Sequence, residues 1–340
     1  MVTRLHTVFP ILLVSILVLA GLQGAGAETA SATRTHHSIG ARYPITIDQL
    51  IFLEQKVFAP DGEEADWFGD PVAISGDTAI VGALADHIGA NGEQGSAYIF
   101  TRNGTTWELQ QKLTASDGDE GDRFGSSVAI YGDTALVGAP TDYVDGTQWQ
   151  GSAYVFTRSG TNWSEQAHLI APDGAWRDNL GNSVALAGGT AIVGAHNDDI
   201  ETNGDQGSAY VFTRSGSNWS LQQRLSAPDG AVSDHFGNSV TLSGDTALIG
   251  SHEDDFGANA DQGSAYIFTR SGTTWDLQQK LIASDGAVGD DFGRSTAISD
   301  DTALVGAAWD DIGANANQGS VYFYQLLSAI YLPLVVREAP

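Results

Sequence analysis

The chain has 340 residues, with 42 acidic against 15 basic side chains, so its formal net charge is −27 at pH 7. A field of this sign repels nucleic acids and anionic lipids, and it attracts cations or basic partners. Because the chain has no cysteine, disulfides, thiolate metal sites and cysteine nucleophiles are excluded, and the core alone must stabilise the fold.

Residues 1–27 have the pattern of a signal peptide. Arg4 precedes an apolar run over residues 8–22, and Ala25-Gly26-Ala27 is a small-residue cleavage site. A retained membrane anchor is the alternative, but the run is short for a bilayer span and lacks a stop-transfer flank. We therefore expect export with cleavage and a secreted or cell-surface location, and residues 28–50 then form a polar lead-in.

Residues 51–328 consist of five copies of a 56-residue unit. Three markers recur at this spacing: a Phe-Gly or Leu-Gly pair, the glycine of a Gln-Gly-Ser-(Ala/Val)-Tyr motif, and a tryptophan that is replaced by Ile51 in the first copy. Such a period is typical of solenoids, propellers and arrays, in which each unit buries its apolar face against its neighbours. The markers are Phe68-Gly69, Phe124-Gly125, Leu180-Gly181, Phe236-Gly237 and Phe292-Gly293; Gly95, Gly151, Gly207, Gly263 and Gly319; and Trp107, Trp163, Trp219 and Trp275.

Each unit predicts four β-strands. In the copy that starts at Trp107, residues 107–113 alternate apolar and polar side chains, and further strands are predicted over 124–130, 134–139 and 151–157. Turns rich in Gly, Asp and Asn separate them, and no helical stretch interrupts the order, which excludes βαβ folds. The sequence therefore predicts an all-β fold, a five-bladed β-propeller of four-stranded antiparallel blades.

The register also predicts how the ring closes. The tyrosine strand of each copy is followed through a short turn by a tryptophan strand, so these two should pair. Residues 51–58 have no tyrosine strand before them, and residues 319–324 have no tryptophan strand after them. We expect these two segments to pair, so that the N-terminal strand completes the last blade. An open array is the alternative, and it would leave an unpaired strand edge.

These motifs resemble the FG-GAP repeats of the integrin α-subunit propeller and, more closely, those of bacterial secreted FG-GAP proteins. The Phe-Gly pairs supply the first half of the motif, and Gly138-Ala139-Pro140 supplies the second half in full. The resemblance covers residues 51–324 and implies a propeller that serves as a binding or adhesion module.

The chain departs from the integrin pattern in two respects. Calcium-binding integrin blades have an Asp-x-Asp-x-Asp-Gly type of loop where this chain has only Ser75-Gly76-Asp77-Thr78 and its counterparts. That turn is too short for a cation that takes about six to eight ligands. Integrins also typically have seven blades. We therefore do not transfer the integrin calcium site to this chain.

Most of the acid should lie on one face. Alternate connections of a propeller emerge on opposite faces, so the loops after the tryptophan strands and those after the GAP motifs should lie together. These loops contain more than half of the 42 acidic residues. One aspartate recurs in every copy, and we interpret it as a cap of backbone N–H groups in the turn. These aspartates are Asp66, Asp122, Asp178, Asp234 and Asp290, and the arginines expected on the opposite face are Arg102, Arg158, Arg214 and Arg270.

A second acidic pattern in copies three to five favours calcium. Each of these GAP-to-tyrosine loops has two adjacent aspartates followed by an asparagine, and calcium prefers such oxygen ligands. An ordinary solvated turn is the alternative, and we expect that no cofactor is required. The candidate calcium ligands are Asp198, Asp199, Asn203, Asp254, Asp255, Asn259, Asp310, Asp311 and Asn315.

The remaining side chains have conventional interpretations. We expect the repeated Phe and Tyr residues to pack between blades and the repeated Trp residues to cover blade edges, although exposed tryptophans can also stack on sugars. His196 and His252 are interpreted as loop residues rather than a zinc pair. Residues 329–340 form a short apolar tail that is too short to span a bilayer, and a surface-retention signal is the alternative to a final packed strand.

Together these features predict a secreted, non-enzymatic binding or adhesion module. The acidic face would recognise an extracellular protein or glycan, with no nucleic-acid partner and no membrane span. No catalytic residue is predicted, because the carboxylates recur by symmetry and no Ser-His-Asp set or Gly-x-Ser-x-Gly turn is present. The alternative is a calcium-dependent glycan-binding protein or a glycan-active enzyme on the same scaffold. A unique carboxylate cluster at the ring centre would favour the enzyme, and equivalent loops in all blades would favour the binder.

Overall fold

The computed structural model of the protein describes residues 54–326. These residues form nineteen β-strands and no helix. Within this described part, no helix is available that is long and apolar enough to cross a membrane. The strands are β1 (Val72–Ser75), β2 (Thr78–Ala83), β3 (Ser96–Asn103), β4 (Thr106–Leu113), β5 (Ser127–Tyr131), β6 (Thr134–Ala139), β7 (Ser152–Ser159), β8 (Asn162–Leu169), β9 (Ser183–Ala187), β10 (Thr190–Ala195), β11 (Ser208–Ser215), β12 (Asn218–Leu225), β13 (Phe236–Ser243), β14 (Thr246–Ser251), β15 (Ser264–Ser271), β16 (Thr274–Leu281), β17 (Phe292–Ser299), β18 (Thr302–Ala307) and β19 (Ser320–Gln325).

The strands form five antiparallel sheets, one for each repeat. Strands that are consecutive in the chain pair with one another in the sheets β1–β4, β5–β8, β9–β12 and β13–β16, and a three-stranded sheet follows in β17–β19. In the first four sheets the tyrosine strand pairs with the tryptophan strand that follows it, as Tyr154 opposite His168 shows. The predicted all-β architecture of five repeated sheets is confirmed.

Two-residue turns join the first two strands of each sheet. Gly132 and Asp133 connect β5 to β6, and Gly132 has a φ of +57°, which suits a mirror-image hairpin turn. In the fifth sheet Asp300 adopts a φ of +50° at the position that glycine occupies in the other copies. The turns are too short to hold a cation-binding loop, in agreement with the departure from the integrin pattern.

The Phe-Gly pairs join neighbouring sheets. The strand predicted over 124–130 begins only at Ser127, because Gly125 has a φ of +97° and Phe124 instead forms a parallel bridge to Gly95 of the preceding sheet. The glycine of the GAP motif provides the complementary surface. A Cβ on Gly138 would lie 2.1 Å from the carbonyl oxygen of Gly181 in the next sheet. Both halves of the motif therefore permit close packing between sheets.

The core consists of layers between adjacent sheets. Every residue of the middle strands β6 and β10 is buried, and Phe124 packs edge-on against Tyr154, with ring centroids 5.5 Å apart. Trp163 and Trp275 are also buried, and each indole N–H donates to a glutamine of the preceding sheet. The repeated aromatic residues are thus structural, as predicted.

The strand pairing that would close the ring is not detected. Residues 54–58 form no strand, β19 pairs only with β18, and residues 51–53 lie outside the described part. Val72 of β1 is 65% exposed, whereas Val128, at the same repeat position in the second copy, is 9% exposed. Phe323 of β19 is 72% exposed, whereas Ile99, at the same repeat position in the first copy, is fully buried. The last sheet has no fourth strand within residues 54–326, so its outer face lacks the neighbour that the other sheets have.

Three predicted segments cannot be compared with the structure. The signal peptide over residues 1–27, the polar lead-in over 28–50 and the apolar tail over 329–340 all lie outside the described residues.

Candidate functional site: the acidic loop face and its aromatic cleft

The loop face is formed by two sets of loops. One set joins a tryptophan strand to the next sheet, as residues 114–126 do, and the other joins the second and third strands of a sheet, as residues 84–95 do. The two sets contact each other, because the Gly121 N–H donates to Gly92 O and the Phe124 N–H donates to Gln94 O, both at 2.9 Å. At the opposite end of the strands, Arg158 pairs with Asp133 in the short turn at 2.5 Å.

The aspartate that recurs in every copy caps a turn of the loop face. Asp122 Oδ2 accepts the N–H of Asp119 at 2.5 Å, and Asp178 Oδ2 accepts that of Ala175 at 2.6 Å. Burial raises the pKa of Asp122 and Asp234 to about 6 and the pKa of Asp178 to about 7. The predicted capping role is confirmed, and Asp66, Asp234 and Asp290 make the same bond.

A second set of aspartates belongs to a buried network that we call the Tyr–Asp network. In the fourth sheet the Tyr266 hydroxyl lies 2.9 Å from Asp229 Oδ1 and 3.0 Å from Asp254 Oδ2. Lys280 Nζ lies 2.8 Å and 2.6 Å from the same two carboxylates. Burial alone would lower the pKa of Lys280, but its bonds to both aspartates raise it. The basic side chains at the equivalent positions of the first three sheets are Lys112, His168 and Arg224.

The candidate calcium ligands make separate contacts within the protein. Asp198 Oδ2 bonds to Ser208 and Tyr210 in the Tyr–Asp network, while Asp199 Oδ1 accepts the N–H of Asp205 at 2.8 Å. The Asn203 amide donates to Gln206 at 2.9 Å. Among residues 54–326, no group of three or more His, Asp or Glu side chains is arranged to hold a metal ion.

The other two candidate sets repeat this arrangement. The second aspartate of each pair, Asp255 or Asp311, accepts the backbone N–H of the residue six positions ahead. The asparagine, Asn259 or Asn315, donates to a glutamine, and the first aspartate, Asp254 or Asp310, contacts the tyrosine of its network. The adjacent aspartates thus serve different local bonds, and calcium binding at these loops stays a prediction.

Three histidines meet between the third and fourth sheets. The ring of His235 lies 5.7 Å from that of His196 and 5.7 Å from that of His252, centroid to centroid. Burial lowers the pKa of both His196 and His252 to about 4, and the neighbouring positive charges add to this effect. Sequence reasoning treated His196 and His252 as loop residues and did not consider His235, because His235 stands beside the Phe-Gly pair whereas the other two end a GAP motif.

An aromatic cleft interrupts the symmetry of the loop face near the second sheet. Tyr143, Trp149 and Trp176 are 56%, 39% and 61% exposed, and the two indole rings stack with centroids 6.3 Å apart at 26°. Tyr143 and Trp149 line a cavity of about 420 Å³ together with the side chains of three acids and several polar residues. The acids are Asp119, Glu120 and Asp122.

Sequence reasoning missed this cleft. It considered the four tryptophans that recur at the repeat spacing, whereas Trp149 and Trp176 stand outside that series. Trp149 also has a φ of +57°, and the other copies place Glu, Asp or Asn at that left-handed position. A bulky residue that replaces a turn-former in a single copy was the signal in the sequence.

Five sheets of repeated sequence, with their loops collected on one face, define a repeat protein of the β-propeller type. The FG-GAP repeat family matches residues 52–100, 107–156, 163–212, 219–268 and 275–324, which together make up most of the chain. The protein belongs to the FG-GAP repeat family. No curated protein shows significant sequence similarity to it.

Proposed function

We propose that the protein is an exported, non-enzymatic binding or adhesion module that recognises an extracellular ligand through its loop face. The observation that carries this proposal is the arrangement of the loops. Backbone hydrogen bonds hold the two loop sets together, while acidic side chains such as Glu120, Asp145 and Glu201 remain exposed on them. A rigid scaffold that presents variable, charged loops is suited to recognition.

Repetition of the acidic residues supports binding over catalysis. The caps and the Tyr–Asp networks recur from sheet to sheet, and their carboxylates are occupied by backbone N–H groups, hydroxyls and cations. An enzyme needs a site that differs from its neighbours, with a free carboxylate pair for glycan cleavage. The acids that recur in this way support the fold instead.

A panel of immobilised extracellular proteins and glycans tests the proposal. We expect the purified full chain to bind at least one member, and we expect Glu120→Gln combined with Glu201→Gln to weaken that binding. The matched control, Arg102→Gln with Asp77→Asn, changes an exposed ion pair on the opposite turns and should leave binding intact. Binding that is equally sensitive to both pairs, or release of cleaved glycan, would contradict a non-enzymatic loop-face module.

A further inference from the structure

The aromatic cleft is confined to one copy of the repeat. The positions equivalent to Tyr143 hold His87 in the first copy and aspartate in the other three. Those equivalent to Trp149 hold Glu, Asp or Asn, and those equivalent to Trp176 hold Glu or Val. Packing between sheets is the same in the other copies without these rings, so the fold itself does not require them.

Exposure of the three rings is unfavourable unless something covers them. Single exposed apolar side chains are common on protein surfaces, but here two indoles stack on each other, and one of them, Trp149, lines a cavity together with the phenol ring of Tyr143. Tyrosine and tryptophan are the side chains most enriched at binding hot spots, because they offer large, rigid surfaces. The cleft therefore has the composition of a binding pocket.

The charge of the cleft indicates the chemistry of its ligand. Asp119 and Glu120 are exposed, and within residues 54–326 their carboxylates take part in no hydrogen bond or ion pair. Two arginines that neighbour the cleft in sequence are already engaged: Arg123 pairs with Glu93 at 2.9 Å, and Arg177 lies over the Trp176 ring at 5.3 Å from its centroid. The cavity thus keeps an excess of negative charge beside an aromatic wall.

We propose that the aromatic cleft binds an arginine or lysine side chain from a basic segment of a partner protein. This inference rests on the proposed function, for which it names the partner's chemistry. A cation over an aromatic face is attracted by the ring's electrons, and a planar guanidinium can also stack on an indole. The contact between Arg177 and Trp176 shows the same interaction at the edge of the cleft.

A neutral saccharide fits this cleft less well than a cation does. A sugar could stack on Trp149, but it would cover the carboxylates of Asp119 and Glu120 without neutralising them, and such desolvation is costly. A basic side chain neutralises one of these charges, and the net charge of −27 attracts it from a distance.

Binding of a dye-labelled tetra-arginine peptide to the full chain, followed by fluorescence anisotropy at low salt, tests this proposal. We expect Trp149→Ala and Glu120→Gln each to weaken binding by about threefold to tenfold. The matched controls are Glu64→Gln, at the same repeat position ahead of the first sheet, and Trp309→Ala, an exposed indole of the fifth repeat. Both controls should bind as the wild type does, and all four variants should keep its melting temperature because the replaced side chains are exposed.

Three outcomes would overturn the inference. Equal losses in Glu64→Gln and Glu120→Gln would show attraction to the acidic surface as a whole. Equal binding of a tetra-citrulline peptide would show that positive charge is not recognised. Binding of cellotetraose that depends on Trp149, without binding of tetra-arginine, would make the cleft a saccharide site. If a panel ligand still bound through other loops in Trp149→Ala, the proposed function would stand and only the cleft's role would fall.

Discussion

At the scale of single residues, Tyr266 joins two loops of the loop face through one hydroxyl group. The ring is fully buried, and the hydroxyl contacts Asp229 and the buried Asp254. Removal of the hydroxyl leaves Asp254 with one partner fewer, and we expect Tyr266→Phe to lower the free energy of unfolding by about 1–3 kcal/mol. Urea denaturation measures this change. Tyr131→Phe, which alters an exposed ring, should change stability by less than about 0.5 kcal/mol, and an equal loss in both variants would contradict the role of the network.

The Tyr–Asp network shows which residue roles the sequence could predict. A turn-capping aspartate at a fixed distance before each Phe-Gly pair was predictable, because local backbone geometry determines its role. The basic residue of the network was not, because its identity changes from copy to copy: it is Lys112, His168, Arg224 or Lys280. The same network shows that Asp198 is structural, so a variant that tests calcium at the third loop should change Asp199 and spare Asp198.

The buried caps should make stability depend on pH. Burial raises the pKa of Asp178 from 3.8 to about 7, so between these values the folded state retains a proton that the unfolded state releases. The contribution of Asp178 to stability therefore falls as the pH rises from about 4 to about 7. We expect Asp178→Asn, which keeps an oxygen acceptor for Ala175, to gain about 1–2 kcal/mol relative to wild type over this range after allowance for solvent screening.

Chemical denaturation at pH 4.5, 6 and 8 measures the difference between wild type and Asp178→Asn. His196 and His252 also contribute to the pH dependence of stability: because their pKa values are lowered, their contribution rises with pH in the acid range. This contribution is the same in wild type and variant, so the difference between the two reports Asp178 alone. Glu201→Gln, an exposed change on the next loop, should follow wild type at each pH. A constant difference between wild type and Asp178→Asn would show that the carboxyl group is already ionised at pH 4.5.

At the scale of elements, the GAP glycine determines how closely two sheets approach. A Cβ on Gly194 would lie 2.1 Å from the backbone oxygen of Gly237 and 2.3 Å from the Ser183 hydroxyl oxygen, which leaves it no room. We expect Gly194→Ala to destabilise the protein by about 3 kcal/mol. Gly188, in the hairpin turn, has open space around it but a φ of +58°, so Gly188→Ala should cost only about 1 kcal/mol. Thermal melts that rank the two variants in the reverse order would contradict this packing.

The same elements explain where strand prediction succeeded. Alternating side chains and glycine turns predicted β4, β6 and β7 to within about two residues, because local pattern determines those strands. The predicted strand 124–130 was placed three residues too early, since Phe124 bonds to the preceding sheet, a contact that local pattern does not contain. The aromatic cleft was missed for the same reason, because Tyr143 and Trp176 lie in different loops of the chain.

At the scale of the whole molecule, the two uncovered ends have complementary surfaces. In the first four sheets the GAP glycine faces the carbonyl oxygen of a Phe-Gly or Leu-Gly glycine in the next sheet; these glycines are Gly82, Gly138, Gly194 and Gly250. The GAP glycine of the last sheet, Gly306, faces no such oxygen. Gly69, in turn, has no atom of a preceding sheet near it. The fifth Tyr–Asp network contains Tyr322, Asp285 and Asp310, and within residues 54–326 no cation pairs with it.

Lys56 is the residue that this network needs. It precedes Lys112 by one repeat length, it is exposed, and it belongs to the segment expected to pair with β19. The register of β3 and β4, in which Tyr98 lies opposite Lys112 and Ala97 opposite Leu113, would place Tyr322 opposite Lys56 and Val321 opposite Val57. Closure of the ring would cover both exposed ends and complete the fifth network.

A cross-link between Val57 and Val321 tests closure directly, because the chain has no cysteine of its own. Paired strand residues lie about 4.5–5.5 Å apart between Cα atoms, a distance that a disulfide spans. We expect the double variant Val57→Cys with Val321→Cys to form an intramolecular disulfide, seen as a monomer that loses two thiols under oxidation and gains thermal stability. Val57→Cys alone should show neither effect. Disulfide-linked oligomers would instead mean that the first and last sheets of different copies pack head to tail, and free thiols in an oxidised monomer would mean that the array stays open.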